Sequence, residues 1–195
     1  MDKGILGDRE KALEDQYMRQ HDAKLLEKLR QGASLDEIAV ALAEKLQVDN
    51  PELLARARDA GVTADTASAF FLAPLVQVAW AEDAVGRPEH DAVLRLAQDR
   101  GVDAGSPGYA QLEAWLASRP SDALFDAALD VIKAGFAPLS HAEREDRIGR
   151  VVDACHEVAA ASASKVGRYL GISDGVSTAE STIIEAISNR LRGRD

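Results

Sequence analysis

One cysteine, few aromatics and no basic excess define this chain first by what it lacks. Cys155 is the single thiol in 195 residues, aromatics make up 5%, and 23 Lys and Arg against 33 Asp and Glu leave a net charge of −10. A lone cysteine excludes an internal disulfide and fits a reducing compartment. The shortage of aromatics argues against sheets, where β-branched and aromatic side chains concentrate. Without a dense Lys/Arg patch there is no basic face for nucleic acid. No run approaches the roughly 20 apolar residues that span a bilayer. The opening Met1-Asp2-Lys3-Gly4-Ile5-Leu6-Gly7 is too polar for a secretory signal. The expectation is a soluble cytoplasmic protein with no nucleic-acid partner and no transmembrane segment.

Catalytic signatures are also missing. Neither His-x-x-x-His nor Cys-x-x-Cys occurs, which speaks against a zinc site. Cys155 and His156 are adjacent, so on a helix their side chains diverge by about 100°, the wrong geometry for a nucleophile and its base. Cys155 is expected to be a small buried hydrophobe, His156 a surface or capping residue, and His90 a solvated helix position. The glycines from Gly101 to Gly108 are spread out and lack the Lys of a phosphate loop. Trp80 and Trp115 are expected to anchor the core. The chain is read as non-catalytic.

What is present is helical. Hydrophobic residues reach 46%, led by Ala and Leu, and a chain of this length buries about 70% of its unfolded surface. Asp8 to Arg30 reads as a long charged helix with a thin apolar stripe. Ser34-Leu35-Asp36-Glu37 is a capping box opening a second helix to about Leu46. Asn50-Pro51 starts a third, which Gly61 ends. Thr63 to Ala81 is the most apolar stretch and the expected core helix, with Pro74 kinking or dividing it. Further helices are expected over Arg87 to Arg100, from Ser106-Pro107, from Pro120-Ser121, from the capping box Ser140-His141-Ala142-Glu143 to about Ala161, and from Ser177 to about Leu191. Ser162 to Ser173 is looser. No segment alternates as a strand does. The expected architecture is all-α, about nine helices, with a charged N-terminal part over residues 1–60 and a compact body over 62–191.

A short acidic turn occurs twice. The copies are Asp83-Ala84-Val85-Gly86-Arg87-Pro88-Glu89 and Asp174-Gly175-Val176-Ser177-Thr178-Ala179-Glu180, each ahead of a helical pattern. Two uses fit this spacing. The first is capping: Ser177 with Glu180 makes a capping box, and Gly86 with Glu89 holds the same two positions. The second is a cation site. Asp83, the Val85 carbonyl and Glu89 would form one half, and Asp174, the Val176 carbonyl and Glu180 the other. Calcium or magnesium would be the ion, with waters or Glu82 completing the about 6–8 oxygens that calcium takes.

From about Leu72 to Glu185 the chain resembles the tellurite-resistance TerB-like family. The resemblance rests on Leu75-Val76-Gln77-Val78-Ala79-Trp80-Ala81-Glu82-Asp83 with Val85 and Glu89, recurring as Ser173-Asp174-Gly175-Val176-Ser177 with Glu180. Gly105-Ser106-Pro107-Gly108-Tyr109, Leu112-Glu113-Ala114-Trp115-Leu116 and Pro120 resemble one bacterial subgroup of it. The resemblance implies a compact helical fold with pseudo-repeated halves and calcium or another cation near the acidic turns. It also implies a part in stress response or chemical resistance, and no enzymatic reaction.

The segment Gly7 to Arg19 resembles the inhibitory helix of the mitochondrial ATPase inhibitor protein, through Gly7, Arg9, Glu10, Ala12, Glu14, Tyr17 and Arg19, with Met18 where that family has an aromatic. That resemblance implies insertion into the ATP synthase head, with Arg9, Glu10, Glu14, Tyr17, Met18 and Arg19 as partner-binding residues. His21 would add pH sensitivity near its reference pKa of about 6.5. A solvated amphipathic helix that packs on the body, or pairs with a second copy into a homodimer, fits the same residues. The leading expectation is a non-catalytic stress-response or scaffolding protein acting through protein partners. The alternative is an ATP-synthase inhibitor acting through its N-terminal helix.

Overall fold

The computed structural model describes residues 50–162 and 176–194. The expected helices over 8–30 and 34–46, the partner-binding residues Arg9 to Arg19, the looser stretch after Ser162 and Asp174 lie outside the described residues. Within them the chain forms eight helices and no strand. These are α1 (Pro51–Asp59), α2 (Ala67–Phe70), α3 (Ala73–Ala79), α4 (Arg87–Gln98), α5 (Pro107–Ala117), α6 (Asp122–Phe136), α7 (His141–Ala159) and α8 (Thr178–Arg192).

Five of the eight starts carry a side-chain cap. The side chains of Asn50, Ser106, Ser121, Ser140 and Ser177 accept from backbone N–H groups of the first turn that have no partner inside the helix. Three of the stops use a left-handed glycine, Gly61, Gly101 and Gly193, and the first two share one pattern. Gly61 (φ 87°) and Gly101 (φ 80°) adopt the left-handed region. The next residue then reaches back, Val62 N–H to the Ala57 carbonyl and Val102 N–H to the Ala97 carbonyl, each at 3.0 Å. Both valines end up buried under the helix they terminate.

The expected core helix is divided as Pro74 requires. α2 ends at Phe70, and α3 restarts with Pro74 in its first turn, where a missing N–H costs nothing. α3 is short but central. Six of its seven residues are buried, and it packs against α4, α5, α6, α7 and α8. Only a segment apolar on nearly every face can occupy that position. The longer α6 buries Phe125, Leu129, Ile132 and Phe136 along one side and carries α1 and α8 on its flanks.

Charged side chains tie the outer helices together. Asp130 on α6 meets Arg56 of α1 at 2.6 Å and Arg190 of α8 at 2.9 Å. Arg95 of α4 meets Glu157 of α7 at 2.6 Å, and Arg192 of α8 meets Glu145 of α7 at 3.0 Å. The Arg192 hydrogen bond holds the Glu145 carboxyl below its usual pKa. A depressed carboxylate stabilises above its unfolded pKa, so this contribution fades as pH falls through the folded value. Asp130 is 19% exposed while Arg56 and Arg190 are 50% and 32% exposed, so solvent screens the pairs. Asp130→Ala should therefore cost about 1–2 kcal/mol, read as a lower urea midpoint at unchanged slope. A loss under a few tenths would show that Asp130 does not join the three helices.

Candidate functional site

The first acidic turn is built from both sides. α3 ends on Trp80, whose indole N–H donates to the Trp115 carbonyl of α5 at 2.8 Å. Trp80 and Trp115 are both half-buried against the core, the anchoring role expected of them. The chain then tightens through Ala81 N–H to the Val78 carbonyl at 3.0 Å and Asp83 N–H to the Trp80 carbonyl at 3.2 Å. Asp83 takes φ 62°, the one non-glycine with positive φ among the described residues. Asp tolerates that region better than most side chains because its carboxylate can bond locally. Val85 packs half-buried against the core and pins the far limb of the turn.

Gly86 is the N-cap of α4 and Glu89 its third residue, the positions expected from the sequence. The return bond of a capping box is not made. Glu89 is 9% exposed, and its Oε2 is buried with no hydrogen-bond partner. That oxygen lies over Gly86, where a Cβ would collide with it. The carboxylate therefore sits in space that only glycine leaves open. The positive end of the α4 dipole faces it and offsets part of its burial cost. His90 is engaged elsewhere, its Nδ1 lying 3.1 Å from Asp91 Oδ1.

The start of α8 has nearly the same cap backbone as the start of α4 and uses its Glu differently. Ser177 (φ −74°, ψ 162°) matches Gly86 (φ −75°, ψ 158°). Ser177 Oγ accepts from Glu180 N–H at 3.2 Å, and Glu180 Oε2 accepts from Ser177 N–H at 2.7 Å. Glu180 is more deeply buried than Glu89, at 4% exposure, yet fully employed. Val176 is half-buried against the core, as Val85 is. The helices after the two turns, α4 and α8, both pack on α3 and α7.

The structure thus separates two motifs that look alike in sequence. Glu180 caps a helix; Glu89 holds the same place without that bond. The signal was Gly86 against Ser177, since a serine Cβ would displace the carboxylate and its hydroxyl would complete the box. For a hard cation, the first turn offers the exposed Asp83 carboxylate, the Val85 carbonyl and the orphaned Glu89 oxygen. Among the described residues no group of three or more His, Cys, Asp or Glu is gathered for a metal. Solvent would have to supply the rest of the shell.

Elsewhere, Cys155 is buried as expected, and burial pushes its thiol up to about 12. It remains a neutral thiol near neutral pH. His156 beside it is exposed. No helix among the described residues is long and apolar enough to cross a membrane. No protein-family model, curated protein or solved structure matches the chain.

Proposed function

We propose that this chain is a TerB-like, non-catalytic cytoplasmic protein that binds calcium, or magnesium in its place, at the first acidic turn and serves as a cation-responsive scaffold in a stress response. The observation that carries the reading is the buried Glu89 carboxylate without a partner. A buried anion left uncompensated costs free energy, and a cation beside it removes that cost. Glu89 and Asp83 would hold the ion with the Val85 carbonyl; in the pseudo-repeated second turn Glu180 is already spent on Ser177 N–H, which leaves Asp174 as the carboxylate that turn would add. Val85 and Glu89 bracket the start of α4, so neutralising Glu89 stiffens the junction between α3 and α4. That junction is the element through which ion binding would reach a protein partner.

Isothermal titration of the whole chain with calcium and then magnesium tests this. Wild type should release or absorb heat and melt at a higher temperature with the ion. Asp83→Ala combined with Asp174→Ala should do neither. Absence of heat up to about millimolar ion, the weak end of calcium-binding modules, would sink the cation reading.

A further inference from the structure

An apolar groove on another part of the body is walled by the α2–α3 junction and the C-terminal ends of α4 and α6, and closed by the first half of α7. It encloses about 300 Å³ and continues into an adjoining depression of about 480 Å³. Six side chains border both parts: Phe71, Leu72, Phe136, Val151, Arg100 and Arg147. The first four make an apolar floor, with Phe71 and Val151 only half-buried. The volume lies in the range of small-molecule sites.

The rim charge runs against that of the chain. In a protein of net charge −10, the groove is bordered by Arg100, Arg147 and Arg150 with Asp99 as the single acid among the described lining residues. Arg150 is already paired with Asp146 at 3.0 Å. Arg100 spends one N–H on the Leu96 carbonyl, leaving the rest of its fork. Arg147 makes no hydrogen bond or close ion pair among the described residues. Glu143, one turn back on its own helix, feels its charge but is bonded to Ser140.

We propose that this groove binds a small aliphatic monocarboxylate, its chain on Phe71, Leu72, Phe136 and Val151 and its head group between Arg100 and Arg147. A guanidinium matches a carboxylate in plane and can bind it through two parallel N–H donors. Asp99 beside Arg100 offsets one positive charge, so the rim suits a single negative charge better than two. Away from the arginine rim, Ser68 is the one polar side chain among the described lining residues and carries no charge, which favours a chain ending in a methyl over a second charged head group.

Decanoate is the probe, with decan-1-ol as its uncharged counterpart, titrated calorimetrically into the whole chain. Wild type should bind decanoate saturably and more tightly than decan-1-ol. Arg100→Gln with Arg147→Gln should weaken decanoate by about tenfold or more and leave decan-1-ol unchanged. Both arginines are exposed, so their replacement should spare the fold. Non-saturable binding of decanoate, or equal affinity in wild type and variant, overturns the proposal. Should the variant fail to fold, intermolecular NOEs in wild type decide it. Contacts from the decanoate chain to Phe71 or Phe136 uphold the site, and contacts confined elsewhere refute it.

Discussion

Phe125→Ala should cost about 3–5 kcal/mol, the largest stability loss expected from any single truncation here. Phe125 is 1% exposed and is one of the two largest fully buried side chains. It lies near the start of α6, the helix that carries α1 and α8 and packs on α3. Removing the ring deletes its buried surface and leaves a cavity. α3 and α8, which pack on α6, are also held by α7, and this limits how far they can shift to fill it. For a chain of this size such a loss lowers the melting temperature by about 10 °C. Thermal and urea unfolding of the variant would check it. Arg119, whose guanidinium lies 5.6 Å from the ring centre, supplies the control. Arg119→Ala removes that exposed cation–π contact together with an exposed ion pair to Asp122 at 2.6 Å and should cost about 1 kcal/mol. A Phe125→Ala loss as small as that control would mean that α6 is not the structural spine.

The elements that could be read from sequence were those with local causes. Ser121, Ser140 and Ser177 announce their helices because a serine before a helical pattern supplies the acceptor that the first turn needs. Pro74 announced the break in the core helix because the missing N–H and the ring clash act within one turn. The central position of α3 was only half legible. Its apolar run marked it as buried, but which five helices surround it depends on contacts made at long range. Position gave no warning of what Glu89 does. Gly86/Glu89 and Ser177/Glu180 share spacing and backbone, and differ by one hydroxymethyl group. That group decides whether a carboxylate satisfies the helix or is left over. The arginine-rimmed groove was invisible for a further reason: Phe71, Arg100, Phe136 and Arg147 belong to four separate segments, and no periodicity links them.

Glu89→Gln should separate the structural and cation-binding roles of the first turn by moving two quantities in opposite directions. Without divalent ions, the substitution removes a buried negative charge that has no hydrogen-bond partner and keeps the side chain's shape. The apo protein should gain about 1 kcal/mol, seen as a rise of a few degrees in melting temperature. With calcium, wild type should gain about 2–3 kcal/mol once the ion reaches about a hundred times its dissociation constant, and the variant should gain almost nothing. A plain capping residue predicts the reverse: loss of apo stability on substitution and no dependence on the ion. Gly86→Ser gives a second arm. Its Cβ would evict the carboxylate from the space over residue 86, and its hydroxyl could build the box that Ser177 and Glu180 already form. That variant should match or slightly exceed wild-type apo stability while losing the calcium response, because Glu89 then accepts from the backbone of residue 86. If Glu89→Gln destabilises the apo protein, or Gly86→Ser keeps the full calcium response, the orphaned carboxylate is not where the cation binds. The first turn would then be the same helix start as the second, with its capping bond left unmade.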